Sequence, residues 1–357
     1  PRRSREAGDP RRVISRRSFL VGASVGTFGV ACKRREEPLD FGASAFPAPP
    51  APPPAPLASV SVPTIPAHAP RTMRLERWSL PAEDLPVMPG SGRPLASSEV
   101  AVLIPEGPAD ARYPLVIALH GRGEARKEPS AGALGWPRDY KLGRAHERLA
   151  KPPLIATDFE NFVDDAELKR TNTELAAQPY RGVVVVCPYT PDLELGGGDN
   201  RPNAADLLAG QRPYGEWLVR QLLPFARKRL PVFASAAATG IDGISLGGHL
   251  ALRYGFLFPE EFGFVSGLQP AIQSQDAAAW AALAKGALAK NPRLALRILT
   301  SSNDYFREAV IAFDGELRRA GVNHVFQNVR GPHDYAFNRG PGALALLRGA
   351  DTLLARQ

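Results

Sequence analysis

Downstream of about Met73, apolar positions follow two periods. Glu99–Ile104, Tyr113–Leu119 and Gly182–Cys187 are short, continuous apolar runs rich in Val, Ile and Leu. Runs of that length predict strands, and the last, nearly all β-branched, predicts one buried on both faces. Further strands are predicted at Phe262–Val265, Leu294–Leu299 and Val325–Val329, and a short apolar stretch surrounds Ile241. Between them, apolar residues recur at helical spacing over Tyr214–Leu230, His249–Phe256, Ala277–Lys290, Phe306–Ala320 and Ala343–Leu354. Pro224 lies inside the first of these helices and is expected to kink it. Strands alternating with helices predict the α/β class: a mostly parallel sheet with helices on both faces. No internal repeat is visible.

Upstream of Met73 both periods vanish. Residues 46–70 contain ten prolines with alanine in most of the gaps. Such a stretch buries no core and is expected to be an extended polyproline II stalk. Before it, Ser15-Arg16-Arg17-Ser18-Phe19-Leu20 leads into an apolar run, Val21–Ala31. A paired arginine followed by a short apolar segment predicts a twin-arginine export signal and a periplasmic or cell-envelope destination. The run is too short for a membrane span. Cys32, preceded by Val30-Ala31, resembles the lipidated cysteine of a bacterial lipoprotein, although Gly29 stands where leucine is more usual. Lipidation, which would anchor the chain to a membrane without spanning it, and simple cleavage both stay open. The expected division is a signal at 1–32, a Pro/Ala-rich linker at 33–72 and one catalytic domain at 73–357.

Composition adds little to the fold but narrows the partners. The 357 residues are 44% hydrophobic and 22% charged, enough for a sizeable core. The net charge of +8 is uneven. Residues 1–32 carry seven arginines against two acids, a net of +5, which leaves 37 basic and 34 acidic side chains, a net of +3, for the rest. The body is close to balanced, which speaks against a nucleic-acid partner. The two cysteines, Cys32 and Cys187, imply no disulfide framework, and no Cys/His set has zinc spacing. No metal or cofactor is expected, since Gly196-Gly197-Gly198 lacks the companions of a phosphate loop. Nothing in the sequence specifies an oligomer.

The chemistry concentrates at Gly243-Ile244-Ser245-Leu246-Gly247-Gly248. A Gly-x-Ser-x-Gly between a strand and a helix has the pattern of a nucleophile elbow, a tight turn that projects the serine from the sheet edge. The glycines leave room for neighbouring backbone. A serine hydroxyl needs a base, and the base needs an orienting acid. Three histidines follow Ser245. His249 lies one helical turn on, facing away. His324 opens a predicted strand. His333, in the loop Gly331-Pro332-His333-Asp334-Tyr335, stands where a base belongs. For the acid, Asp304 ends the loop Ser301-Ser302-Asn303-Asp304, with helix capping as its other reading. Asp314 and Asp334 are weaker candidates. An oxyanion needs two backbone N–H donors. Leu246 would give one, and Gly121 or Arg122, in His120-Gly121-Arg122-Gly123, the other.

These motifs, with Trp217–Leu223 and Leu222-Leu223-Pro224, resemble the α/β-hydrolase esterases related to esterase D and S-formylglutathione hydrolase, which include feruloyl and acetylxylan esterases. The resemblance spans about Leu95 to the C-terminus. It implies ester hydrolysis through an acyl-enzyme at Ser245, Asp304 and His333, no cofactor, and a small or polysaccharide ester as substrate. The chain departs from the pattern in the acid loop, where a glycine often precedes the aspartate, and in the long segment 124–181. That segment reads equally as a cap over the site or as a surface insertion with its own apolar cluster. An acyltransferase on the same triad, a peptidase of the same fold and an inactive binding module are the rival functions.

Overall fold

The computed structural model describes residues 66–80, 99–193 and 204–352. The predicted export signal, Cys32 and most of the proline-rich segment lie outside them. The end of that segment is packed rather than free-running. The Ala69 amide donates to Tyr180 O (2.9 Å) and the Glu106 amide to Thr72 O (3.0 Å). Ala69 is buried, so the folded body begins a few residues before Met73.

Eight strands form one sheet: β1 (Met73–Ser79), β2 (Glu99–Pro105), β3 (Leu115–Leu119), β4 (Val184–Pro188), β5 (Thr239–Gly243), β6 (Phe264–Leu268), β7 (Ala295–Asn303) and β8 (Val325–Pro332). Their order is β1-β2-β4-β3-β5-β6-β7-β8. The pairs β1/β2 and β2/β4 are antiparallel and the remaining pairs are parallel. The helices are α1 (Arg122–Ala125), α2 (Pro129–Gly132), α3 (Leu142–Ala150), α4 (Asp165–Ala177), α5 (Ala204–Trp217), α6 (Leu223–Arg229), α7 (Leu246–Leu257), α8 (Ala277–Lys290), α9 (Arg307–Arg319), α10 (Tyr335–Phe337) and α11 (Ala343–Asp351).

Alternate residues of each central strand point to opposite faces. Leu115, Ile117 and Leu119 of β3, with Val184 and Val186 of β4, enter one core with Trp217, Leu250, Trp280 and Phe313. Val116, Ala118, Val183 and Val185 enter a second core with Trp136, Tyr140, Leu149, Phe159 and Leu347. The strands are therefore apolar throughout, as a sheet covered on both sides requires. The second core settles the place of segment 124–181. Trp136, Tyr140, Phe159 and Tyr180 are buried, and α3 packs beside α11. The segment is neither a cap nor a surface addition. It is most of one helical layer.

Pro224 is absorbed without ending the helical path. A π-turn at Leu218–Leu222 precedes it, with the Leu223 amide donating to Leu218 O, and Pro224 falls in the first turn of α6. Widening the turn there suits a residue that lacks an N–H and crowds the preceding carbonyl. The helical path also starts at Ala204, well before the expected Tyr214, and runs through Pro213.

Beneath the β5–α7 turn lies a buried ion pair. Arg297 Nη2 donates to Asp242 Oδ2 (2.7 Å), while its Nε and Nη1 donate to Ser266 Oγ (3.0 Å) and Ala345 O (2.7 Å). Asp242 Oδ1 accepts from the Gly243 amide (2.8 Å). Removing one partner leaves the other charge buried and uncompensated. Asp242→Ala is expected to lower unfolding stability by about 3–5 kcal/mol, read from denaturant midpoints. A loss below about 1 kcal/mol would show that Arg297 is not held by this carboxylate.

Candidate active site

The turn from β5 into α7 puts Ser245 at φ 57° and ψ −115°, a region that costs a residue with a side chain roughly 1–3 kcal/mol. The surroundings over-determine it. The Ser245 amide donates to Leu268 O (3.0 Å), and Ser245 O accepts from the amides of His249 (2.9 Å) and Ala271 (3.0 Å). Gly247 is required by close approach. A methyl group there would lie 2.2 Å from Leu119 O and 2.6 Å from His120 O. The same contact brings the loop after β3 directly against the turn.

Three distant chain segments meet at Ser245. Its Oγ is 2.9 Å from His333 Nε2, and His333 Nδ1 is 2.6 Å from Asp304 Oδ1. The carboxylate can only accept, so Nδ1 carries the proton and Nε2 is left to accept from the serine hydroxyl. Asp304 also accepts from Thr300 Oγ1 (2.7 Å) and the Phe306 amide (3.0 Å). The N-cap position of α9 is Phe306, which has no side-chain cap bond, so Asp304 holds the turn before the helix as well as the imidazole. The expected acid loop is shorter than predicted: β7 continues through Asn303 with an irregular register at Ser301–Asn303.

His333 follows β8 directly, and the peptide before it is anchored. Gln269 Nε2 donates to Pro332 O (2.9 Å) and to Ser301 Oγ (2.6 Å), and Ser301 Oγ donates to Gly331 O (2.7 Å). Gln269 is buried at φ 43°. Nothing local in the sequence marks it, because its partners lie at the ends of two other strands. The rings of Tyr305 and Phe306 stand 5.2 Å and 5.5 Å from the His333 ring.

The other histidines and acids are placed elsewhere. His249 faces Ala271 O (3.0 Å), and burial, with Arg253 nearby, lowers it to about 3. His324 bonds to Asp314 (2.8 Å), remote from the turn in sequence and partner. Asp334 accepts from the Ala336 and Phe337 amides and so caps α10.

Leu246 and Arg122 are the first residues of α7 and α1, positions whose amides have no partner within their helix. Of the two loop amides expected to offer a donor, that of Gly121 donates to the Tyr140 hydroxyl (3.2 Å), and that of Arg122 has no partner within α1. His120 holds the loop from below. Its Nε2 accepts from the Thr190 amide (2.9 Å) and its Nδ1 donates to Gly121 O (3.0 Å). Burial lowers it to about 4, so it is neutral near pH 7. The Arg122 side chain turns to Asp192 (3.3 Å) rather than standing free. Among the described residues, no group of His, Cys, Asp and Glu side chains is arranged to hold a metal ion.

Strand order, the strained turn at Ser245 and the chain order serine, aspartate, histidine are those of an α/β-hydrolase. The sequence profile described as "Putative esterase" matches residues 91–307, more than half of the chain, and the chain belongs to that family of carboxylesterase-type serine hydrolases. Among solved structures it is similar to an S-formylglutathione hydrolase from Staphylococcus aureus, with 15% identity over 79% of this chain and 99% of that one and a TM-score of 0.51. It is similar too to a ferulic acid esterase, with 16% identity over 80% and 98% and a TM-score of 0.52. A fluorophosphonate-binding serine hydrolase of Staphylococcus aureus aligns with 13% identity over 79% and 99%, at a TM-score of 0.51. At these identities the likeness is one of fold. No curated protein matches the sequence.

Proposed function

We propose that this chain cleaves a carboxylic ester through an acyl-enzyme on Ser245, with His333 as general base and acid and Asp304 as the orienting carboxylate. The observation that carries the reading is the unbroken hydrogen-bond chain from Ser245 Oγ through His333 to Asp304, at 2.9 and 2.6 Å. Ser245 Oγ attacks the ester carbonyl carbon while His333 Nε2 takes its proton. The oxyanion that forms is stabilised by the Leu246 and Arg122 amides. His333 returns the proton to the departing alcohol, leaving an acyl group on Ser245. A water molecule, deprotonated by His333, then attacks the acyl carbon and releases the carboxylic acid and the free serine. The substrate proposed is a small ester or an acylated polysaccharide. The exposed Tyr305 ring beside His333 supports a substrate that lies across an open surface. Export by the twin-arginine route, on the strength of Ser15–Leu20, would place this activity in the cell envelope.

Fluorophosphonate labelling of the purified chain, followed by peptide mapping, tests the reading. Modification at Ser245 that disappears in His333→Ala is the expected result. A folded sample that stays unlabelled would instead indicate a hydrolase fold kept for binding.

A further inference from the structure

Glu124 is 1% exposed, and it lies in α1 two residues beyond the Arg122 amide. A carboxylate at that depth requires donors, and it has them from two sides of the site. Its Oε2 accepts from the Tyr140 hydroxyl, the same hydroxyl that accepts from the Gly121 amide. Its Oε1 accepts from the Tyr335 hydroxyl at 2.6 Å. Lys127 Nζ lies 3.5 Å from that oxygen and is itself bonded to Asp139 at 2.7 Å. Tyr335 stands two residues after His333 in the chain. Burial first, then the neighbouring carboxylate, raise both phenols: Tyr335 to about 12 and Tyr140 well above its ordinary value. Both therefore remain donors at any ordinary pH.

One buried carboxylate thus joins the loop that offers an amide to the loop that carries the base. The triad does not need this link to exist: His333 already has Asp304, Ser245 and the Gln269 anchor. The short helix that carries the Arg122 amide is held at its end by the Tyr189 hydroxyl, which donates to Ala125 O (2.7 Å), and in its middle by Glu124. The residue preceding this four-residue helix is held by the His120 ring, the Tyr140 hydroxyl and the Ala125 amide. Backbone donors act on a forming oxyanion by being fixed beforehand, and a displacement of about 1 Å removes much of their effect.

We propose that Glu124 is a positioning residue of the hydrolytic reaction, fixing the Arg122 amide in register with Ser245 and His333 through Tyr140 and Tyr335. The inference rests on the functional reading given above. It also assigns segment 124–181 a part in the chemistry: Tyr140, from the middle of that segment, is the strut.

Steady-state hydrolysis of p-nitrophenyl acetate by the full chain tests it, with Glu124→Gln, Tyr335→Phe and the double variant beside the wild type. An interaction made mainly in the transition state lowers kcat and kcat/KM together. Glu124→Gln is expected to lower both by about 10- to 100-fold with KM within about twofold, below the 10²–10³-fold cost of deleting a donor outright. Tyr335→Phe is expected to lose several-fold. The double variant should be little worse than Glu124→Gln, because both changes cut one chain of bonds. Thermal unfolding of the same samples separates positioning from general destabilisation, since a purely structural role lowers Tm and leaves kcat of the folded fraction unchanged. An unchanged kcat in well-folded Glu124→Gln overturns the proposal. If that variant does not fold, an unchanged kcat in Tyr335→Phe, whose side chain is partly exposed, overturns it. A wild-type chain that neither hydrolyses the ester nor labels at Ser245 overturns the functional reading first. An active wild type with unaffected variants overturns this inference alone.

Discussion

Ser245→Ala is expected to abolish ester turnover, lowering kcat by roughly 10⁵–10⁶-fold, while the protein stays folded. The size follows from what the hydroxyl does. With Oγ gone no acyl-enzyme forms, and only the loop amides and substrate binding remain to act on water. Folding should be spared because the Ser245 side chain supports nothing but His333. The backbone bonds to Leu268, His249 and Ala271 hold the turn regardless of the side chain. Alanine keeps the same unfavourable φ, so no strain is released. Activity with a chromogenic ester and a denaturant midpoint, taken on the same preparation, make the comparison. Residual turnover within tenfold of the wild type would place the nucleophile elsewhere.

Asp304→Asn should be nearly as damaging, on the order of 10⁴-fold in kcat by analogy with serine proteases. Asparagine would offer its NH₂ to His333 Nδ1 and turn that nitrogen into an acceptor. The ring proton would then sit on Nε2, facing Ser245 with a donor where an acceptor is needed. The side chain would keep its place through its remaining oxygen, which still accepts from Thr300 Oγ1, so the loss would report the tautomer rather than a collapsed loop. Near-normal activity would move the acid to another residue. The alternatives are poorly placed for it: Asp334 caps α10, and Asp314 is shared by His324 and Arg318.

The meeting of Ser245, His333 and Asp304 was legible because each residue follows a strand that the sequence marks, by an apolar run at Leu294–Leu299 and by motif and context at the other two. Val325–Val329 announces a strand, and a histidine in the following Gly-Pro-His-Asp-Tyr loop falls at the sheet's active edge. The same logic, applied to Leu294–Leu299, reached Asp304 although polar residues extend that strand to Asn303. The amide assignment was only half legible. Choosing between Gly121 and Arg122 needed Tyr140, which arrives through a segment whose aromatic residues have no simple period. β1 escaped for a related reason: Met-Arg-Leu-Glu-Arg-Trp-Ser is an edge strand, mostly polar and only partly covered. Gln269 and Glu124 were invisible because their meaning lies in partners that the fold, not the sequence neighbourhood, supplies.

The helical layer built from segment 124–181 also bears on how this enzyme could change its diet. In a hydrolase with a detachable lid, substrate range can drift by swapping the lid while the barrier to unfolding stays put. Here the equivalent stretch covers Val116, Ala118, Val183 and Val185 and sends Tyr140 to the loop beside Ser245. Transplanting it from a relative would strip one side of the sheet and unfasten the loop in a single step. New specificities should therefore arise through the short rim residues, such as Tyr305 and the side chain of Arg122, and long insertions should be tolerated elsewhere.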